Sequence, residues 1–207
     1  MKFRMHWILL LLGLAGCTQI PKVESSPEAK FADQASQGQS ELPAQELTSE
    51  LLFDFLLAET ALQRDNLEVA VERYAKLARN TRDPRIAERA TEVALRARRP
   101  GEAEEAVALW VELEPDSISA RQAAAALFVS TGKLDKARPH LEKLLSSEKD
   151  SVDKAFMHLS RLLSRHSDKN ATLQLMQKLA APYPDLPEAH FAISQAAWAA
   201  NQLELAL

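Results

Sequence analysis

Two serine–lysine pairs have the spacing of a serine nucleophile activated by a lysine. Ser130 precedes Lys133 by three residues, and Ser151 precedes Lys154 by the same interval. Such a pair would perform acyl transfer or hydrolysis, because a neighbouring amine can take the proton of the serine hydroxyl. The further motifs of penicillin-binding enzymes are absent from the sequence. We therefore interpret the first pair as a turn between helices and the second as the start of a helix.

Other groups that could do chemistry lack the partners that the chemistry requires. His158 and His166 could share a helix face, but no acidic or third ligand stands beside them at the spacing of a zinc site. Glu104 and Glu105 are adjacent and therefore point to different flanks of a helix, which favours a solvated face over an acid/base pair. We predict no catalytic residue, no metal site and no cofactor, so the chain is not expected to be an enzyme.

The composition favours helices. Of the 207 residues 46% are hydrophobic and 6% aromatic, and only five are glycine, which disfavours the many tight turns of an all-β fold. The formal net charge of −4 argues against a nucleic-acid partner. A single cysteine excludes both a disulfide framework and a zinc site built from cysteines.

The first residues predict a secretory signal sequence. Lys2 and Arg4 precede the apolar run 7–14, which is about half the length needed to span a bilayer. The run ends in Leu14-Ala15-Gly16-Cys17, which resembles the lipobox of bacterial lipoproteins. The resemblance implies that residues 1–16 are a signal peptide and that Cys17 becomes lipidated; a plain signal peptide is the alternative. By the sorting rule of that family, Thr18 favours the outer membrane, periplasmic face, over the inner membrane.

Residues 17–45 are predicted to form a disordered tether. They are rich in Gln, Ser, Pro, Glu and Ala, and too few are apolar to offset the entropy of ordering. A flexible chain of this length spans roughly 30 Å. The tether would therefore keep the folded part near the membrane.

From residue 46 onward, a small residue recurs at nearly constant spacing. The intervals are 33, 34, 34 and 35 residues, between Ala70, Ala103, Ala137, Ala171 and Ala206. Twelve residues before each lies a second set, mostly small: Ala58, Thr91, Ala125, Leu159 and Ser194. This pattern resembles the tetratricopeptide repeat, in which small residues stand where two helices cross. The resemblance implies an all-α fold, a right-handed α-solenoid of four repeats plus a truncated fifth over residues 46–207.

Caps and breakers divide the solenoid into helix pairs. Pro84 is predicted at the first turn of a helix, Gly132 as a left-handed terminator and Ser151 as an N-cap. The predicted helices are 46–64 with 67–80, 84–97 with 101–114, 117–131 with 134–147, 151–166 with 169–181, and 186–200 with one starting at 202. The end at Leu207, inside a helix, predicts a longer array or a covering subunit.

In tetratricopeptide arrays the first helix of each pair lines a concave groove. The alignment places eight candidate binding residues there: Leu52, Phe55, Arg85, Arg96, Gln122, Phe156, Phe191 and Trp198. Aromatic anchors mixed with a few charges suit an extended peptide or a helix of a partner. The alternative is that the aromatic residues pack between repeats.

Seven arginines between residues 79 and 99 make the second repeat locally basic. They could bind acidic groups of a partner. The alternative is a solvated face that is neutralised by nearby Asp and Glu residues.

Four segments narrow the function. Residues 46–52, 58–59, 81–87 and 109–116 look like the amino-terminal part of proteobacterial outer-membrane lipoproteins that are adaptors of a carboxyl-terminal processing protease. The resemblance implies that the chain brings cell-wall hydrolases to a periplasmic protease. The main alternative is a lipoprotein scaffold for pilus or outer-membrane assembly, and a hydrolase is a third.

Overall fold

The structure, a computed structural model, describes residues 45–147 and 151–206. Within these residues it contains ten α-helices and no β-strand. In chain order they are α1 Ser49–Gln63, α2 Leu67–Thr81, α3 Pro84–Arg96, α4 Pro100–Leu113, α5 Ile118–Ser130, α6 Leu134–Ser147, α7 Val152–Leu163, α8 Lys169–Ala180, α9 Pro187–Ala199 and α10 Leu203–Ala206. The predicted helix pairs are confirmed, with ends that differ by up to three residues. The predicted signal peptide and nearly all of the predicted tether lie outside the described residues.

Local capping chemistry explains where the helices begin. The side chains of five N-cap residues each accept a hydrogen bond from a backbone N–H of the first turn: Thr48, Asn66, Asp83, Ser117 and Asp168. Pro84, Pro100 and Pro187 occupy the first helical position, where a missing N–H removes no bond. Ser151 holds the N-cap position of α7 as predicted, but its side chain caps no amide of that helix.

Four of the five hairpins close with a three-residue turn that contains one left-handed residue. These residues are Asp65, Arg98, Gly132 and Asn201, with φ angles of 57°, 55°, 74° and 59°. The role predicted for Gly132 is therefore confirmed. The turn of the fourth hairpin differs, since it runs over residues 164–168 and contains no residue with positive φ.

Most consecutive helices pack side by side, and the described helices enclose one apolar core. Closely packed neighbours include α1 with α2, α2 with α3, α3 with α4, and α5 with α6. The alanines that the repeat alignment places at the first three crossing points, Ala70, Ala103 and Ala137, are completely buried. Small residues there let two helix backbones approach closely. The described helices thus form a tetratricopeptide-type α-solenoid.

Helix α7 departs from this pattern. Its contacts with α6 are sparser than those between α2 and α3, and it packs more closely against α9 than against α8. The helices α3, α5 and α9 bury or half-bury their third, seventh and tenth residues. In α7 these positions are Lys154, His158 and Arg161, and all three are exposed. Burying cations without partners is costly, so α7 instead buries Phe156, Leu159 and Leu163.

Candidate binding surface

Large apolar side chains cover the exposed side of α1. Leu52 and Phe55, both predicted from the repeat alignment, are 43% and 40% exposed. Phe53 and Leu56 were not predicted, yet they are more exposed, at 61% and 54%. The sequence did contain this signal, because residues 51–57 are apolar except for Asp54, which is more than one buried helix face requires. A contiguous apolar patch of this kind marks an interaction surface.

A buried carboxylate joins α1 to α2 on the opposite side of the helix. Asp54 is 3% exposed; its Oδ1 lies 3.1 Å from Arg73 Nη1 and its Oδ2 lies 2.7 Å from Lys76 Nζ. The hydrogen bond from Lys76 is the main reason that the pKa of Asp54 lies below its usual value, and Arg73 adds to the effect. These contacts determine which face of α1 is left for solvent.

Two predicted groove arginines are held by carboxylates of the protein itself. Arg85 Nη2 lies 2.6 Å from Asp83 Oδ2, and Arg96 Nη2 lies 2.7 Å from Asp65 Oδ1. The hydrogen bonds from Arg85 hold the pKa of Asp83 below its usual value. Arg85 and Arg96 therefore reach the surface as ion pairs rather than as free cations.

The arginine run of the second repeat is largely neutralised. Besides Arg85 and Arg96, four of its members pair with glutamates: Arg79 with Glu105, Arg82 with Glu112, Arg89 with Glu92, and Arg99 with Glu102. Within the described part of the chain, only Arg98 of the seven forms no ion pair. This arrangement favours the predicted alternative, a self-neutralised solvated face.

The same groove face of α3 also carries an acid. Glu88 is half-buried, and desolvation raises its pKa above the usual value, with further contributions from the negative charges of Glu92 and Glu114. This carboxyl group is therefore easier to protonate than a solvated glutamate. The centre of the surface is mixed in charge rather than basic.

The predicted residue Gln122 is exposed on α5. A cavity of about 650 Å³ lies along the C-terminal half of this helix, with Leu95, Val129, Leu162 and His166 among its lining residues. Gln122 does not line this cavity. Leu95, which does, is 45% exposed and was not predicted.

Another candidate pocket lies between α7, α8 and α9. It measures about 950 Å³, and its lining includes Phe156, Met157 and Met176 as well as the predicted residues Phe191 and Trp198. Phe191 and Trp198 are 60% and 71% exposed. Because they are seven residues apart on α9, they point to the same side. The volume is of the size that commonly holds a small ligand or a few side chains.

Phe156 requires a correction to the predicted groove. It is completely buried, and its ring packs edge to face on Tyr183 with the centroids 5.5 Å apart. Phe156 therefore forms part of the wall between α7 and α9 and presents no free surface. The physical reason is the orientation of α7, which exposes its cationic side chains and turns Phe156 inward.

The serine–lysine pairs take structural positions. Ser130 Oγ donates a hydrogen bond to the carbonyl of Leu127, and Lys133 forms an ion pair with Glu104. Lys136 adds a second cation to Glu104, at 3.3 Å, and the hydrogen bonds from both lysines lower the pKa of that carboxyl group. These contacts agree with the interpretation of Ser130 and Lys133 as part of an inter-helix turn.

The two histidines are not arranged as metal ligands. His166 Nδ1 lies 3.1 Å from the carbonyl oxygen of Asp168, whereas His158 is exposed on α7. The described residues contain no group of three or more His, Cys, Asp or Glu side chains that could hold a metal ion. They also contain no helix that is long and apolar enough to cross a membrane. The predicted lipidation site, Cys17, lies outside the described residues.

Comparison with known proteins gives one curated relative and several solved structures. No family model matches the chain. A Pseudomonas aeruginosa protein described as TPR repeat-containing is 33% identical over 100 residues, which are 48% of this chain and 17% of that protein. The chain thus matches only a small part of this relative's length.

The solved structures that resemble the chain share little sequence with it. MamA from Desulfovibrio magneticus has a TM-score of 0.48 at 15% identity, covering 78% of this chain and 91% of MamA. PilW, described as a widely conserved type IV pilus biogenesis factor, has a TM-score of 0.42 at 12% identity, covering 77% of this chain and 74% of PilW.

Proposed function

We propose that the chain is a lipid-anchored periplasmic scaffold that binds proteins, and that it presents peptidoglycan hydrolases to a carboxyl-terminal processing protease. The observation that carries the scaffold role is the apolar surface on α1 and α9, each of which is the first helix of its pair. The exposed side chains there are Phe53, Leu56, Phe191 and Trp198. A helical array with such patches suits the burial of a partner's apolar side chains. The adaptor role is supported by the resemblance of segments 46–52, 58–59, 81–87 and 109–116.

Such a scaffold acts by proximity rather than by chemistry. Two proteins held on one array meet at an effective concentration that depends on the distance between their sites. Lipidation at Cys17 would place the array at the periplasmic face of the outer membrane. The tether of residues 17–45, spanning roughly 30 Å, would let it turn toward partners.

The first experiment is a pull-down from detergent-solubilised envelopes with the lipidated chain, read by mass spectrometry. A Cys17→Ala variant tests the anchor, because it should shift from the membrane to the soluble periplasmic fraction. A Phe191→Ala/Trp198→Ala variant tests the surface of α9, and Arg79→Gln on the exposed side of α2 is the matched control. We expect a processing protease and cell-wall hydrolases with the unmodified chain and the control.

Other outcomes point elsewhere. Recovery of pilus or outer-membrane assembly proteins, without a protease, would favour the alternative scaffold. Recovery of no specific protein at all would contradict the adaptor role for these repeats.

A further inference from the structure

We propose that the outward face of α7 is a docking surface for an acidic segment of a protein partner; this rests on the proposed function in taking the chain to be a protein-binding scaffold. Three basic side chains of α7 share that face, at intervals of four and three residues: Lys154, His158 and Arg161. This spacing places them on one side of the helix, over about 10 Å along its axis, and Arg165 follows in the turn 164–168. All four are exposed.

These side chains differ from the arginines of the second repeat in their ion pairing within the described residues. Among the described residues, no ion pair joins any of the four to a carboxylate, whereas six of the seven arginines between residues 79 and 99 are paired. In a chain with a net charge of −4, an unneutralised basic stripe is a local exception. It provides charge complementarity for an acidic partner.

The stripe also occupies positions that the solenoid uses elsewhere for its own packing. The third, seventh and tenth residues of α5 are Ala120, Ala124 and Leu127, and all three are buried. In α7 the equivalent positions carry Lys154, His158 and Arg161. A cationic face of this kind cannot join the apolar core, so it is available for contact with acidic groups of a partner.

Apolar cavities flank the stripe and provide the second part of the site. Arg161 lines the cavity of about 950 Å³ together with Met157, Phe191 and Trp198. Arg165 lines the cavity of about 650 Å³. A partner segment could therefore place carboxylates on the arginines and insert an apolar side chain beside them.

The other charges of the larger cavity leave Arg161 as its available cation. Lys169 Nζ already donates to the carbonyl oxygens of Ser164 and His166, at 2.8 and 2.7 Å. Glu188 also lines the cavity, so the acidic group of the partner must approach from the side of α7. The arginine fork can bind a carboxylate through two parallel hydrogen bonds, which favours Asp or Glu side chains.

An acidic protein segment fits these features better than an anionic membrane surface. A membrane surface would satisfy the cations but would insert no apolar side chain into the larger cavity. A helix with carboxylates every three or four residues and one bulky apolar residue would satisfy both.

The test uses the full chain in detergent and a synthetic 18-residue helical peptide carrying a fluorescent label. The peptide has glutamates at positions 3, 7, 10 and 14 and a phenylalanine anchor beside them; a matched peptide carries glutamines instead. We expect the fluorescence anisotropy to show at least tenfold tighter binding of the glutamate peptide. Binding should weaken as salt is added, because the charges are exposed.

Variants of the protein locate the binding. Arg161→Gln/Arg165→Gln should weaken the glutamate peptide about tenfold, and the control Arg79→Gln/Arg82→Gln should leave it unchanged. Equal affinity for the two peptides, or an unchanged affinity of the Arg161→Gln/Arg165→Gln variant, would overturn the proposal. Phosphatidylglycerol vesicles that bind the Cys17→Ala chain, which lacks the anchor, while the peptide does not would overturn it in favour of a lipid surface.

The envelope pull-down separates this proposal from the adaptor role. Peptide binding at α7 with no protease recovered from envelopes counts against the adaptor role alone. Recovery of the protease without peptide binding overturns the surface on α7 and leaves the adaptor role standing.

Discussion

At the scale of single residues, the hairpin turns hold backbone conformations that most side chains disfavour. Gly132 satisfies this requirement at no steric cost, whereas Asp65, Arg98 and Asn201 adopt the same left-handed region with a Cβ atom. Four of the five hairpins therefore share one turn geometry although their turn residues differ.

Removing the glycine of one turn and introducing a glycine into another should change the free energy of unfolding in opposite directions. Gly132→Ala should lower the free energy of unfolding by about 1 kcal/mol, because φ is +74° while the added Cβ meets only His166 Nε2, at 3.7 Å. Arg98→Gly should raise it by about 0.5 kcal/mol, since the strain relieved exceeds the entropy that glycine adds to the unfolded chain. Urea unfolding followed by circular dichroism measures the free energy of unfolding of each variant. A change of the same sign in both variants would contradict this account.

Asp54 is the most deeply buried charged residue in the part of the chain that the structure describes. Asp54→Asn keeps its shape but removes the charge that Arg73 and Lys76 bind, and it should cost about 2 kcal/mol at pH 7. Glu50→Gln is the control, because Glu50 also pairs with Lys76 but is largely exposed, and it should cost little.

The stabilising effect of Asp54 should depend on pH in a defined direction. Its folded pKa lies below the unfolded value of about 3.9, so the stabilisation is fully present above that pH and is lost as the pH falls through the folded pKa. The difference in urea midpoint between the parent chain and Asp54→Asn should therefore shrink on acidification from pH 7 toward pH 2. A constant difference would show that the charge of Asp54 is not responsible.

At the scale of elements, the orientation of α7 decides which aromatic residues stabilise the fold and which can bind. Phe156 and Trp198 line the same cavity, but only Phe156 is buried. Alanine substitutions at Phe156 and Trp198 should therefore separate the role in stability from the role in binding.

Phe156→Ala should lower the free energy of unfolding by about 3 kcal/mol or more, because it removes a buried ring and its contact with Tyr183. Trp198→Ala should leave stability within about 1 kcal/mol, since most of this ring is already in water. Thermal unfolding of both variants is the measurement. A Trp198→Ala variant as unstable as Phe156→Ala would mean that the exposed side of α9 is covered.

At the scale of the whole array, stability is a sum over neighbouring helices. The interface around α7 is the weakest of those described, because α7 contacts α6 and α8 sparsely and the turn 164–168 lacks the left-handed closure of the other hairpins. Local opening should therefore begin there.

Hydrogen exchange tests this expectation. The backbone amides of α7 should exchange faster than those of α3 to α5, whose helices pack closely on both neighbours. The acidic peptide should slow exchange in α7 if it docks there. Uniform protection from α1 to α9 would contradict the expectation of a weak interface.

The repeat could be predicted from local signals alone, because the small crossing residues recur every 33 to 35 residues and helix caps and prolines mark the helix ends. The helix ends could also be predicted to within three residues. Four of the predicted groove residues, Leu52, Phe55, Phe191 and Trp198, are exposed. These properties depend on neighbours within one helix or one hairpin.

The tertiary structure decided how each helix is turned about its axis. A repeat alignment assumes that equal positions have equal surroundings, and α7 breaks that assumption because its cationic residues cannot be buried without partners. Phe156 is therefore inside, and a basic stripe that alignment alone did not reveal is outside. The partner of Arg96 was equally beyond the sequence, because Asp65 is 31 residues away and meets Arg96 only when two hairpins stack.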